Sequence, residues 1–171
     1  MKLVNPSLHY QEQYLQALEE GKTESTTTML NAPAEGQSFA AFVQVLIDNA
    51  KGLQLPEGYV PQSNYWLIDN DTFIGSVSIR HKLTEFLLKE GGSIGYYIRP
   101  SKRNLGYGRK ILELALLEAK KLGLTKVLIT CDDTNIGSQK IIEANGGVLE
   151  NIIELKEGHP KKMRYWISLS N

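Results

Sequence analysis

The residues from Ser93 to Gly108 set hydroxyls, glycines and cations in an order suited to a phosphate-bearing ligand. Ser93 to Ile98 reads as a strand, the residues after it as a tight turn, and Gly106-Tyr107-Gly108 as the mouth of a helix. The first N–H groups of a helix have no partner within it, and the aligned peptide dipoles add partial positive charge at the same end. Gly106 and Gly108 remove side chains where a ligand would approach the backbone. Lys102, Arg103, Arg109 and Lys110 place cations around the same turn. Donors, dipole and mobile counter-charge together are what a pyrophosphate needs. Two common phosphate motifs do not fit. The dinucleotide fingerprint wants a third glycine where Ile111 stands, and no Gly-x-x-x-x-Gly-Lys-Ser/Thr string occurs.

The string Arg103-x-x-Gly106-x-Gly108 fits a different pattern. It resembles the Arg/Gln-x-x-Gly-x-Gly/Ala signature of the GNAT family of N-acetyltransferases. The surroundings agree: an apolar strand before it, a helix from about Tyr107 to Leu122, and a second strand Lys126 to Thr130. Asn135-Ile-Gly-Ser138 then opens another helix, which closes at Asn145-Gly146-Gly147. The resemblance covers residues 64 to 168 well and the N-terminal third loosely.

It implies an α/β fold with a central mixed, mostly antiparallel sheet and helices on both faces. It also implies transfer of an acetyl group from acetyl-coenzyme A to a primary amine by direct attack in a ternary complex. In such a protein the turn residues Arg103, Asn104, Leu105, Gly106, Tyr107, Gly108 and Arg109 would hold the pyrophosphate. The strand carrying Tyr96, Tyr97 and Ile98 would splay from the strand at 126–130, and its free edge would pair with the pantetheine arm. The N–H that polarises the thioester carbonyl would lie near Tyr96. Asn135 would meet the pantetheine amides, and Ser138 and Lys140 the nucleotide end. Asn135 equally suits a helix N-cap.

Proton transfer is less well specified. Many members of the family carry a proton-donating Tyr where Ile142 stands here, and the usual Gly-Phe is Gly146-Gly147. Tyr96, Tyr97 or water could take that role. Successive strand residues face opposite ways, so only one of the two tyrosines can face the site. Glu90 or His81 could serve as base, with Ser93 ordering a water. His9 and His159 read as surface or turn residues, and Cys131 as a buried structural thiol.

The remaining chain supplies the frame. Ser7 opens an amphipathic helix ending near Gly21, and Ser38 caps a second whose apolar residues Phe39, Phe42, Val43, Leu46 and Ile47 recur at helical spacing. Tyr65 to Ile68 and Phe73 to Ile79 form a hairpin across Asp69-Asn70-Asp71. Arg80 to Lys89 reads as a loop or short helical turn, and two strands at 148–155 and 163–168 close the chain. The acceptor would be chosen by residues 22–37, 53–63, 80–92 and 156–161, which hold no acidic cluster of the kind a polycationic aminoglycoside favours.

Bulk properties narrow the function. With 171 residues the expectation is one domain over the whole chain, as monomer or homodimer. Lys+Arg and Asp+Glu both total 19, so no broad field for nucleic acid exists. One cysteine points to a reducing, cytoplasmic setting, and no apolar run approaches a membrane span. The histidines and cysteine lack metal-ligand spacing, so no metal is expected. The partner is then a small-molecule or peptide amine. The rival reading is a non-catalytic acyl-coenzyme A sensor on the same fold, suggested by Ile142.

Overall fold

Apolar and polar residues alternate in the strands and recur every three or four positions in the helices, and most elements bury their apolar side, the strand Val148–Ile153 excepted, where Val148, Leu149 and Ile152 are exposed. A computed structural model of the chain describes residues 1–22, 30–53 and 55–169. In order these form β1 (Lys2–Val4), α1 (Gln11–Gly21), α2 (Phe39–Asp48), β2 (Gln62–Asp69), β3 (Thr72–Arg80), β4 (Ile94–Ile98), α3 (Tyr107–Lys121), β5 (Lys126–Asp132), α4 (Ile136–Glu143), β6 (Val148–Ile153) and β7 (Lys162–Ser168). The expected elements are present. Strand β1 is an addition, too short for its sequence to show a period; it is held by antiparallel pairing to β2. The ambiguous stretch after β3 ends in a π turn, Leu87–Gly91. Part of the expected loop at 22–37, and one residue of that at 53–63, lie outside the described residues.

The strands form two antiparallel sheets, ordered β1-β2-β3-β4 and β5-β7-β6. The β2–β3 hairpin turns on Asn70 and Asp71 at φ 46° and 59°. Positive φ at both central residues is what a tight hairpin matching strand twist requires. One face of the first sheet presents Val77, Ile79, Ile94 and Ile98 to α3, which answers with Ile111, Leu112, Ala115 and Ala119. The second sheet closes the same core with Val127, Ile129, Tyr165 and Ile167. The opposite face presents Trp66, Ile68, Phe73 and Tyr97 to α1 and α2. There Tyr14 packs its ring 4.7 Å from Trp66 and 5.1 Å from Phe73, centroid to centroid. Aromatic pairs at such distances add to the area they bury.

Besides sharing a core, the two sheets are tied together just before β4. Ser93 N–H donates to the Leu128 carbonyl at 2.6 Å, and Leu128 N–H donates to Ser93 Oγ at 3.0 Å. Gly92 makes this approach possible. It sits at φ 64°, and a Cβ there would lie 2.7 Å from the Leu128 oxygen. Beyond Ser93, β4 is laddered to β3 alone. The splay expected of this strand is therefore present.

Candidate active site

The turn between β4 and α3 leaves a row of unused donors. Among the described residues, the N–H groups of 104 through 109 bond to no protein acceptor, and the first bond of the helix runs from Lys110 N–H to the Gly106 carbonyl at 3.2 Å. Gly106 holds φ 83° with nothing within 4 Å of where a Cβ would stand, and Asn104 holds φ 59°. Gly108 has a different reason to be glycine. A Cβ there would lie 2.4 Å from Ile141 Cδ1, so its missing side chain lets α3 pack on α4.

The side chains of the turn mostly brace it. Arg103 Nε donates to the Ile98 carbonyl at 3.0 Å, with the guanidinium 5.7 Å from the Tyr97 ring centroid. Tyr107 donates to Asp69 at 2.9 Å, away from the exposed Leu105, and the Arg109 carbonyl accepts from Asn145 at 3.3 Å. A further brace was not visible in sequence. Buried Arg99 donates from Nε to Glu20 at 3.0 Å, and Ser101 donates its N–H and hydroxyl to the same carboxylate at 3.2 and 2.8 Å. The hydrogen bond from the Arg99 guanidinium holds the Glu20 carboxyl down at about 2. No local pattern could have linked residues so far apart in the chain.

Strand parity decides what faces the opening. Arg99 N–H donates to the Ile74 carbonyl and the Ser93 carbonyl accepts from Arg80, so Gly95 and Tyr97 between them turn their backbone groups to β3. Ile94, Tyr96 and Ile98 then turn theirs toward the opening between the sheets. The side chains alternate too. Tyr97 is buried beneath α1 and α2, whereas Tyr96 crosses toward α4 and its hydroxyl lies 2.9 Å from Ser138 Oγ. Burial pushes Tyr96 up to about 12, so it stays protonated at neutral pH. Burial also pushes the Cys131 thiol up to about 11, although Ser138 bonds to it. Ile142, in the position of the family's usual tyrosine, is fully enclosed in the core. Asn135 caps α4 by accepting from Ser138 N–H at 3.0 Å, and its Nδ2 donates to nothing among the described residues.

On the α2 side of the sheet lies a cavity of about 220 Å³. Its polar lining includes Asn31, Asn64, Ser76, Ser78 and Arg80, beside Gly95 and Tyr97. Sequence reasoning missed these residues. The signal was the run Ser76, Ser78, Arg80, polar at every second position between the fully buried Val77 and Ile79. The two base candidates sit elsewhere. Glu90 lies in the π turn, where its carbonyl accepts from Thr130, and its side chain does not line the cavity. His81 lies 2.9 Å from Ser63 Oγ, and burial lowers its pKa. Among the described residues no cluster of His, Cys, Asp and Glu could hold a metal ion, and no helix is long and apolar enough to cross a membrane.

A family model described as an acetyltransferase (GNAT) domain matches residues 13–148. The chain belongs to the GNAT acetyltransferase family. It is an N-acetyltransferase that depends on acetyl-coenzyme A. No curated protein sequence matches it significantly. Solved structures share the fold at low identity. The microcin C7 self-immunity acetyltransferase MccE, in complex with acetyl-CoA and AMP, superposes with a TM-score of 0.68 at 18% identity, covering 97% of this chain and 91% of that one. A Salmonella typhimurium acetyltransferase that modifies the N-terminal serine of a 50S ribosomal subunit protein gives 0.68 at 17% identity, over 97% and 93%. A variant of the spermidine N-acetyltransferase SpeG from Vibrio cholerae gives 0.66 at 15% identity, over 99% and 95%. The GNAT fold is thus shared with enzymes whose acceptors differ widely.

Proposed function

We propose that this GNAT protein acetylates a primary amine by direct attack, with both substrates bound at once. The observation that carries this reading is the double role available to Tyr96, whose backbone faces the opening while its hydroxyl is held by Ser138 on the far side. The donors present suit acetyl-coenzyme A. Unpaired N–H groups at 104–109 match a pyrophosphate, and the free edge of β4 with Asn135 Nδ2 matches the pantetheine amides. Bound there, the thioester supplies an activated acetyl group.

The chain's own groups do the rest. Tyr96 N–H takes the charge that develops on the carbonyl oxygen, a task worth several kcal/mol where water is excluded. Tyr96 Oη, supported by Ser138, returns a proton to the departing sulfur. The amine enters through the cavity on the α2 side. No carboxylate of the described residues lines that cavity, so the amine's proton passes to water beside Ser76 and Ser78. Cys131 takes no part, because a buried thiol with a raised pKa is a poor nucleophile.

The test is release of coenzyme A by the purified protein with acetyl-coenzyme A and a panel of amines, with acetylated product identified by mass. Intersecting initial-velocity lines are expected, with no burst of coenzyme A before amine is added. Tight binding of acetyl-coenzyme A without turnover on any amine would favour the sensor reading instead.

A further inference from the structure

Arg80 ends β3 and lines the cavity two positions beyond Ser78. Its Nη1 donates to the carbonyls of Gly91 and Gly92 at 2.9 and 3.1 Å. Its Nε and Nη2 meet no acceptor, and no carboxylate pairs with it, among the described residues. Two other arginines show the contrast: Arg99 is bonded to Glu20, and Arg164 lies 2.6 Å from Glu150. A guanidinium keeps its proton at any working pH. Taking one partly out of water without a counter-charge is unfavourable unless a ligand supplies it. Gly95 adds no side chain to the space beside it. A Cβ on Gly95 would stand 3.9 Å from Arg80 Nη1 and 3.5 Å from Ser78 Oγ, in the cavity itself.

We propose that the acceptor is a small amine that also carries a carboxylate, held by the free edge of the Arg80 guanidinium while the amine points toward Tyr96. The proposal rests on the acetyl-transfer reading above. A carboxylate matches the planar fork of a guanidinium with two parallel bonds. The same cation favours the neutral form of a neighbouring amine, the form that attacks. In the transfer the amine nitrogen bonds to the acetyl carbon and the C–S bond breaks. The sulfur keeps the electron pair and is protonated, and the nitrogen loses its proton to water. The cavity of about 220 Å³ is smaller than the ~300–1,000 Å³ usual for drug-sized ligands, as a small aminocarboxylate requires. A polyamine would bring further cations to Arg80, with no carboxylate of the described residues on the cavity wall to receive them.

The experiment compares kcat/KM for common L-amino acids and β-alanine with that of their carboxamides, and adds spermidine and serine-led peptides. The carboxamide amine is less basic and more often neutral, so a preference for the acid runs against intrinsic reactivity. The acids are expected to lead by about 10- to 100-fold, the scale of a charge-assisted bidentate bond. Arg80→Gln should erase that lead while the KM for acetyl-coenzyme A holds, and Arg80→Lys should restore part of it. Equal rates for acid and amide, preference for spermidine, or turnover confined to peptides would each overturn the proposal while leaving acetyl transfer standing. If no amine is turned over, calorimetry of L-amino acids with the coenzyme A-loaded protein decides. Binding lost in Arg80→Gln would support the carboxylate site and sink the transfer reading, and absence of binding would sink both. If Arg80→Gln does not fold, the acid–amide comparison on the unaltered protein decides by itself.

Discussion

The two approaches to the opening between the sheets are built from different materials. On the α3 side the groups that face a ligand are backbone N–H donors, at 104–109 and along the edge of β4. On the α2 side they are mainly side chains from two strands, Asn64 of β2 and Ser76, Ser78 and Arg80 of β3. A backbone site accepts almost any sequence that keeps its conformation, so it suits the substrate that a whole family shares. A side-chain site changes with each substitution, so it suits the substrate that differs among relatives. Substitutions on the first side should therefore act through geometry, and on the second through chemistry.

Tyr96 is where the two sides meet, and its loss should have the largest effect. Tyr96→Phe is expected to lower kcat by about 10²–10⁴-fold, the usual scale for a lost general acid, with the KM for acetyl-coenzyme A nearly constant. Tyr97→Phe should leave kcat almost unchanged, because its ring lies under α1 and α2. Equal losses in steady-state assays would break the parity argument.

The paired glycines separate conformation from packing. Gly106→Ala should cost about 1–2 kcal/mol of backbone strain and weaken acetyl-coenzyme A, since it distorts the donor row. Gly108→Ala should cost about 1–3 kcal/mol by pushing Ile141 aside, and bind the cofactor normally once folded. Urea unfolding and calorimetric titration read the two quantities independently. A cofactor defect in Gly108→Ala alone would reverse these roles.

Asn135 allows a finer division. Asn135→Ala should lower stability by about 1 kcal/mol through the lost cap and also raise the KM for acetyl-coenzyme A. Asn135→Asp keeps the cap acceptor and loses the Nδ2 donors, so KM should rise while the melting temperature holds. An unchanged KM in both would reduce Asn135 to a cap.

The Glu20 brace touches neither the cavity nor the donor row, so its loss should have the smallest effect on turnover and act on stability instead. Its carboxyl is depressed from 4.5 to about 2 in the folded protein. A depressed folded pKa adds stability that is present above the unfolded value and is lost as pH falls through the folded one. Melting temperature should hold above pH 5 on this account and fall between pH 4.5 and 2, with Glu20→Gln showing less of that fall.

Legibility in the sequence followed the same division. The glycine turn, the strand before it and the caps at Ser38 and Asn135 were readable because local backbone needs force residue types at fixed spacing. The acceptor cavity was not, because its lining comes from β2, β3 and β4, and only strand register brings Asn64 opposite Ser78 and Ser78 opposite Gly95. Gly108 taught a smaller lesson. One letter served the motif, but Ile141, thirty-odd positions on, gave its physical reason.

The buried cysteine has a practical corollary. Cys131 is the only cysteine in the chain, and it is enclosed, with its thiol held up at about 11. Alkylating reagents and aromatic disulfide dyes attack thiolates they can reach. The folded protein should give such a dye almost no colour of its own. Every equivalent of dye consumed during turnover would then count a molecule of coenzyme A set free, without a protein blank growing under the signal.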